Sequence, residues 1–153
     1  MIKKILIRPD PLLKKPATDV TVFDADLHQL AQDMWDTMYA NEGCGLAANQ
    51  IGDPRNIFVM DVGSGPEVYV NAKITAHSGE LFLEEGCLSL PWVSAPTKRF
   101  EGIELNYQDL QGNQKTMSVP GGLLSRCIQH ETDHLKGLLY IDHSSLYRSL
   151  WNG

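Results

Sequence analysis

At 153 residues, with 42% hydrophobic residues and a formal net charge of −6, the chain is long enough for a single compact domain over 1–153, and its scattered Lys and Arg residues argue against direct nucleic-acid binding. No apolar run is long enough to cross a bilayer, and Arg8 and Pro9 cut the opening apolar run short of a signal peptide. Cys44, Cys87 and Cys127 are odd in number and widely spaced, so no disulfide framework is expected and a reducing, cytoplasmic setting without membrane contact is.

Pro9, Pro11 and Pro16 deny the opening segment a long helix or a central strand, because each lacks a donor and fixes its own φ; the segment is expected to wrap the surface. From Asp24 to Gly43 the apolar residues Leu27, Leu30, Ala31, Met34 and Met38 recur every three or four positions. That spacing predicts an amphipathic helix capped by Asp24 or Asp26. Gly43 to Gln50 is small and flexible by composition, and Gln50 is its only strong side-chain donor. Ile57–Met60 reads as a buried strand, Gly63 to Pro66 as a turn and Val68 to Val70 as the returning strand. A longer extended segment is expected from Ile74 to Leu83, with Pro91 and Pro96 then interrupting the ladder. Ile103, Leu105 and Tyr107 alternate with polar residues, and with Gln114 to Val119 they predict a hairpin turned at Asp109 to Asn113.

The second helix is expected from near Leu123 to Gly137, with Leu123, Arg126, Cys127, His130 and His134 on one face. An extended stretch from Leu138 to Ile141 and a brief one from Leu146 to Trp151 close the chain. Strands in runs and two separated helices make the fold class α+β, with antiparallel strands packed around the second helix and one further helix towards the N-terminus.

The second helix carries the chemistry. Residues 129–137 read Gln-His-Glu-Thr-Asp-His-Leu-Lys-Gly. His130 and His134 fall one turn apart on one helical face, so two imidazoles can meet one cation with Glu131 beside them. Two histidines alone hold a catalytic ion poorly, and an open site usually has three protein ligands. Candidates for the third are Cys87, Cys127, Cys44, His77, His143 and the acids; Cys87 stands out because it sits in a glycine-flanked turn beside two acidic residues. A cation so held activates water, and Glu131 could take its proton and return it to a leaving amine, which is acyl hydrolysis. Gln50 and a backbone N–H beside Cys87 are suitable donors for the oxyanion. Two rival readings use the same residues: a zinc endopeptidase with its third ligand downstream, and a closed structural zinc held by Cys87, Cys127, His130 and His134.

Three stretches, G-C-G-L-A-A-N-Q at Gly43 to Gln50, E-G-C-L-S at Glu85 to Ser89 and Q-H-E-T-D-H at Gln129 to His134, resemble in order and spacing the signature motifs of peptide deformylases. The resemblance implies removal of the formyl group from N-formylmethionine on newly made polypeptides. It implies Cys87, His130 and His134 as metal ligands, usually for Fe2+ with Zn2+, Ni2+ or Co2+ as substitutes. Glu131 would be general base and acid, and Gln50 and the Leu88 N–H would steady the oxyanion. The backbones of Gly45 and Gly86 would pair with the substrate peptide, and Cys44, Leu83, Leu123, Arg126 and Cys127 would face its methionine side chain. Arg126 departs from the apolar residue usual in the family, and Trp92, Val93 and Ser94 stand where an arginine is common. Arg99 stands where the family commonly has an arginine, and since Asp133 points away from the metal on the helix, the two are expected to pair and anchor it. Short phage-type members likewise lack the C-terminal helix linked to ribosome docking. The implied partners are formylated nascent chains, with ribosome contact less secure than catalysis, for a monomer in the cytoplasm of a bacterium or an infected host cell.

Overall fold

The computed structural model describes residues 1–138, apart from the side chains of Leu83 and residues 90–95. Helix α1 spans Ala25–Ala40 and α2 spans Gly122–Leu135; the strands are β1 (Gly45–Ala47), β2 (Ile57–Met60), β3 (Glu67–Cys87), β4 (Leu90–Gln108) and β5 (Gln114–Val119). The strands form one antiparallel sheet in the order β1-β2-β3-β4-β5. The expected stretches beyond Leu138, and His143 with them, lie outside the described residues.

The helices take opposite faces of the sheet. In β2, Ile57 and Val59 join the cluster built on Leu27, Leu30, Met34 and Met38 of α1. Phe58 and Met60 point the other way, into the cluster containing Cys127, Ile128 and Leu135 of α2. Successive strand residues face opposite sides, so covering both faces buries all four. Asp24 caps α1 by accepting from the Leu27 N–H at 3.1 Å, a contact of about 1 kcal/mol. Beyond α2, Gly137 takes a positive φ of 81°, and a Cβ there would collide with the Lys14 backbone. The helix stops where only glycine fits.

Three expectations are corrected. The strands expected at Val68 to Val70 and Ile74 to Leu83 are one strand, β3, bent at Asn71 (φ 52°) and carried on through register shifts. Pro91 falls in a break of the ladder as expected, but Pro96 does not interrupt it. Between Gly86 and Cys87 the register jumps from Ser94 to Leu90, which takes Pro91 out of the ladder, and Pro96 stands opposite Glu84 where β4 has β3 as its one strand neighbour among the described residues. A proline there faces its missing N–H away from the ladder. The stretch from Gly43 to Gln50, flexible by composition, is instead the edge strand β1 followed by a short 3-10 turn over Ala48–Ile51.

The opening segment wraps the surface as expected and touches both motif loops. Leu6 N–H donates to the Gln50 carbonyl at 2.7 Å and Arg8 N–H to the Ser89 carbonyl at 2.9 Å. These contacts bring Lys4, Ile5 and Ile7 to the rim of a cleft that contains the candidate site.

Candidate metal centre

Cys87 ends β3, and His130 and His134 lie one turn apart on α2. Their ligating atoms all fall within 4.8 Å of one another. His134 Nε2 is 3.2 Å from Cys87 Sγ and 3.2 Å from His130 Nε2. His130 Nδ1 lies 2.8 Å from Glu85 Oε1. An ionised carboxylate only accepts, so the His130 proton sits on Nδ1 and the lone pair of Nε2 turns inward. Burial, and then the neighbouring His130, push His134 well below its ordinary pKa, keeping it neutral. Three lone-pair donors meeting this closely repel one another. A proton relieves one pair of them; a cation relieves all three, and a mixed sulfur and nitrogen set suits a borderline divalent ion. The residues present therefore fit a metal ion.

Charge locks this arrangement from behind. Glu85 accepts from Arg99 through both oxygens, from Nε at 2.7 Å and Nη2 at 2.8 Å, while also receiving His130. Arg99 Nη1 reaches Asp133 Oδ2 at 2.6 Å, which joins β4 to α2 as the sequence reading proposed. Burial alone would raise the Glu85 carboxyl; hydrogen bonds from His130 and Arg99 overcome it and hold the group at about 2. Gln129 adds a second clamp, accepting from Phe100 N–H and donating to the Phe100 carbonyl, both at 2.8 Å. Its side-chain amide takes the place of a strand neighbour along an edge of β4 that has none among the described residues.

Glu131 is buried beside the cluster, with Oε1 4.0 Å from His130 Nε2 and Oε2 lacking a hydrogen-bond partner among the described residues. Burial pushes its carboxyl well above the ordinary range, and a cation nearby would pull it back. Gly45 explains how β1 comes so near: a Cβ there would lie 3.0 Å from Glu131 Oε1. Gln50 is oriented at one end by the Ala47 N–H, which donates to its Oε1 at 3.0 Å. That leaves Nε2 to donate to Ser89 Oγ at 3.1 Å and towards Cys87 Sγ at 3.6 Å.

The cleft encloses about 1090 Å³. Its lining brings together Cys44, Gly45, Gln50, Gly86, Cys87, Leu88, Leu123, Arg126, Cys127, His130 and Glu131. Leu83 lies on β3, and its side chain is outside the described set. Cys127 does not join the ligand cluster; its sulfur lies 3.3 Å from Cys44 Sγ, which removes the ground for a four-ligand closed site. That contact, with Arg126 adding to it, holds the Cys44 thiol below its ordinary range, whereas Cys127 is pushed up by the same contact. Arg126 is half-buried, with Nε buried and without a hydrogen-bond partner among the described residues.

Sequence reasoning missed the roles of Glu85, Ser89 and Gln129. Glu85 was within reach of a period-two argument, since alternate strand residues share a face and Glu85 and Cys87 are two apart. Ser89 and Gln129 act through residues far away in sequence, and no local pattern marks them.

Fold and site together define an H-E-x-x-H metallohydrolase. Among the described residues no helix is long and apolar enough to cross a membrane. A model of the polypeptide deformylase family matches residues 2–149. The peptide deformylase of Rhizobium meliloti (strain 1021) is 43% identical over 150 residues, 94% of this chain and 86% of its own length. Peptide deformylase 1 of Clostridium perfringens (strain 13 / Type A) is 42% identical over 144 residues, 93% of this chain and 97% of its own. The crystal structure of a peptide deformylase from Legionella pneumophila matches with a TM-score of 0.92 at 40% identity, covering 98% of this chain and 90% of that one. The chain belongs to the polypeptide deformylase family.

Proposed function

We propose that Cys87, His130 and His134 hold one divalent cation and that Glu131 moves the proton in the reaction carried out in the cleft. The chain is a metal-dependent hydrolase that removes the N-formyl group from nascent polypeptides. The observation that carries the assignment of residues is the convergence of three donor atoms within 4.8 Å beside a buried glutamate. The cation supplies Lewis acidity that brings the pKa of water from about 15.7 towards roughly 7.

Glu131 accepts the proton of the attacking water and delivers it to the amine as the formyl C–N bond breaks. Gln50 Nε2 and the Leu88 N–H stand as donors for the oxygen that becomes negative. Gly45 on β1 and Gly86 on β3 offer backbone to an extended peptide, which binds as an added strand. Cys44, Leu123, Arg126 and Cys127 surround its first side chain. Glu85 holds His130 in the tautomer that a ligand needs.

For the ion we propose Fe2+ in the cell, with Zn2+, Ni2+ and Co2+ as workable replacements, since such donor sets take several borderline ions. The chain acts as one domain over 1–153 and as a monomer in the cytoplasm, on formylated nascent chains with or without ribosome contact. Formate release from a formyl-methionyl peptide by anaerobically prepared protein tests the reading, alongside metal analysis. Glu131→Ala is the control: it is expected to keep the ion and lose the activity. Formate release that persists in Glu131→Ala, or protein that binds no ion, would overturn it.

A further inference from the structure

Cys44 and Cys127 are brought together from 83 positions apart, with their sulfurs 3.3 Å from each other, and hydrolysis of a formyl group, for which they serve only as lining around the first side chain, makes no use of the reactivity of either thiol. Cys44 is exposed, Cys127 is buried and Cys87 lies between these extremes, and none of the three is in a disulfide. Both backbones are fixed. Cys44 immediately precedes β1, and its carbonyl accepts from the Asp61 N–H at 2.9 Å; Cys127 lies inside α2. A disulfide holds its sulfurs about 2.05 Å apart, so a bond here needs an approach of roughly 1.3 Å, a displacement that side-chain torsion at exposed Cys44 can supply.

We propose that Cys44 and Cys127 form a dithiol site that a hydroperoxide oxidises, reversibly, to a disulfide across the cleft. The Cys44 sulfur attacks one peroxide oxygen and the O–O bond breaks. The departing oxygen takes up the Cys44 proton and leaves as water or an alcohol, and Cys44 becomes a sulfenic acid. The Cys127 sulfur then attacks the Cys44 sulfur, the S–O bond breaks, and water leaves with the Cys127 proton. Two electrons have passed from the two thiols to the peroxide, and a small dithiol returns them by exchange. Exposure sets the order: an oxidant entering the cleft meets Cys44 before the more sheltered Cys87.

The test uses the full chain loaded with zinc, so that no redox-active ion competes, and one equivalent of hydrogen peroxide. The titre of free thiols after denaturation is expected to fall from three to one, and the mass to fall by about 2 Da as two hydrogens are lost. Peptide mapping should give a fragment joining Cys44 to Cys127, and dithiothreitol should restore all three thiols. Cys127→Ser should stop at a Cys44 sulfenic acid that a β-diketone probe traps. Cys44→Ser should give no linked fragment at the same dose. Linkage through Cys87, oxygen added to Cys44 without a link in the unsubstituted protein, oxidation of Cys87 with the pair left reduced, or three thiols surviving would each overturn the proposal.

Discussion

The two walls of the cleft are built on different principles. On the α2 side, His130 is held by Glu85, Glu85 by Arg99, and Arg99 also by Asp133, every link between 2.6 and 2.8 Å and Arg99 only 3% exposed. On the other side stand the backbone of a three-residue edge strand and the rim of the opening segment. The first wall is charge paired in a dry interior, where each group needs its neighbour. The second offers shape and backbone with little to hold it fixed. The difference teaches that the chemistry is over-determined while the grip on substrate is adjustable. Damage to the first wall should cost metal, stability and rate together, and changes to the second should alter preference.

The largest effect is expected where the two walls meet, at Glu131. Glu131→Ala should lower formate release by roughly 10²- to 10⁴-fold with the ion retained, measured as initial rate per bound metal. Next comes Gln50→Ala, which should lower kcat by about 100-fold or more while leaving metal content unchanged; a change in KM alone would assign Gln50 to binding instead.

Glu85→Gln probes the locked wall. It leaves Arg99 buried against a neutral amide, at a cost of about 3–5 kcal/mol, and should weaken metal affinity roughly 10- to 100-fold. Denaturant melts and competition with a chelator read the two effects. The effect depends on pH in a fixed direction. The Glu85 carboxyl is held at about 2 against an ordinary value of 4.5, so its stabilisation is complete above the ordinary value and is lost as pH falls towards the folded one. The Tm gap between the unsubstituted protein and Glu85→Gln should narrow on acidification across that window. A constant gap would mean that Glu85 acts by packing alone.

The smallest effect is expected at Arg126, which lines the cleft from α2 but stands outside the locked chain of charges. Arg126→Ile should change turnover of formyl-methionyl peptides by no more than about fivefold, near 1 kcal/mol. Its visible effect should be on the ratio of rates between peptides with different first side chains, and an unchanged ratio would remove any special role for the guanidinium.

Much of this was legible from residue order. Ile57–Met60 was readable to the residue because its flanks carry turn formers, and α1 because its stripe begins at a capping aspartate. His130, Glu131 and His134 share a spacing that few other purposes require, and Cys87 stood out through its glycine neighbour. The long pairing of β3 with β4 was hidden because proline rules assume two strand neighbours, and this part of β4 has one among the described residues. The role of Glu85 was hidden for a different reason: its partners lie 14 and 45 positions away, and a buried ion pair leaves no periodic trace. The meeting of Cys44 with Cys127 depends on how β1 docks on α2, which no local pattern encodes.

The placement of Cys87 at the far end of a 21-residue strand has a consequence for how this chain can vary in length. Side chains along a strand alternate, so parity counts. Adding or deleting one residue between Ala76 and Glu85 would turn Glu85 and Cys87 away from α2 at a single stroke, unless a new bulge absorbed the change, whereas a two-residue change would slide both along by about 6.6 Å yet keep them facing inward. Tolerated insertions in this arm should therefore come in even steps or fall beyond its paired span, and a scan of one- and two-residue insertions scored by bound metal would show an odd–even rhythm.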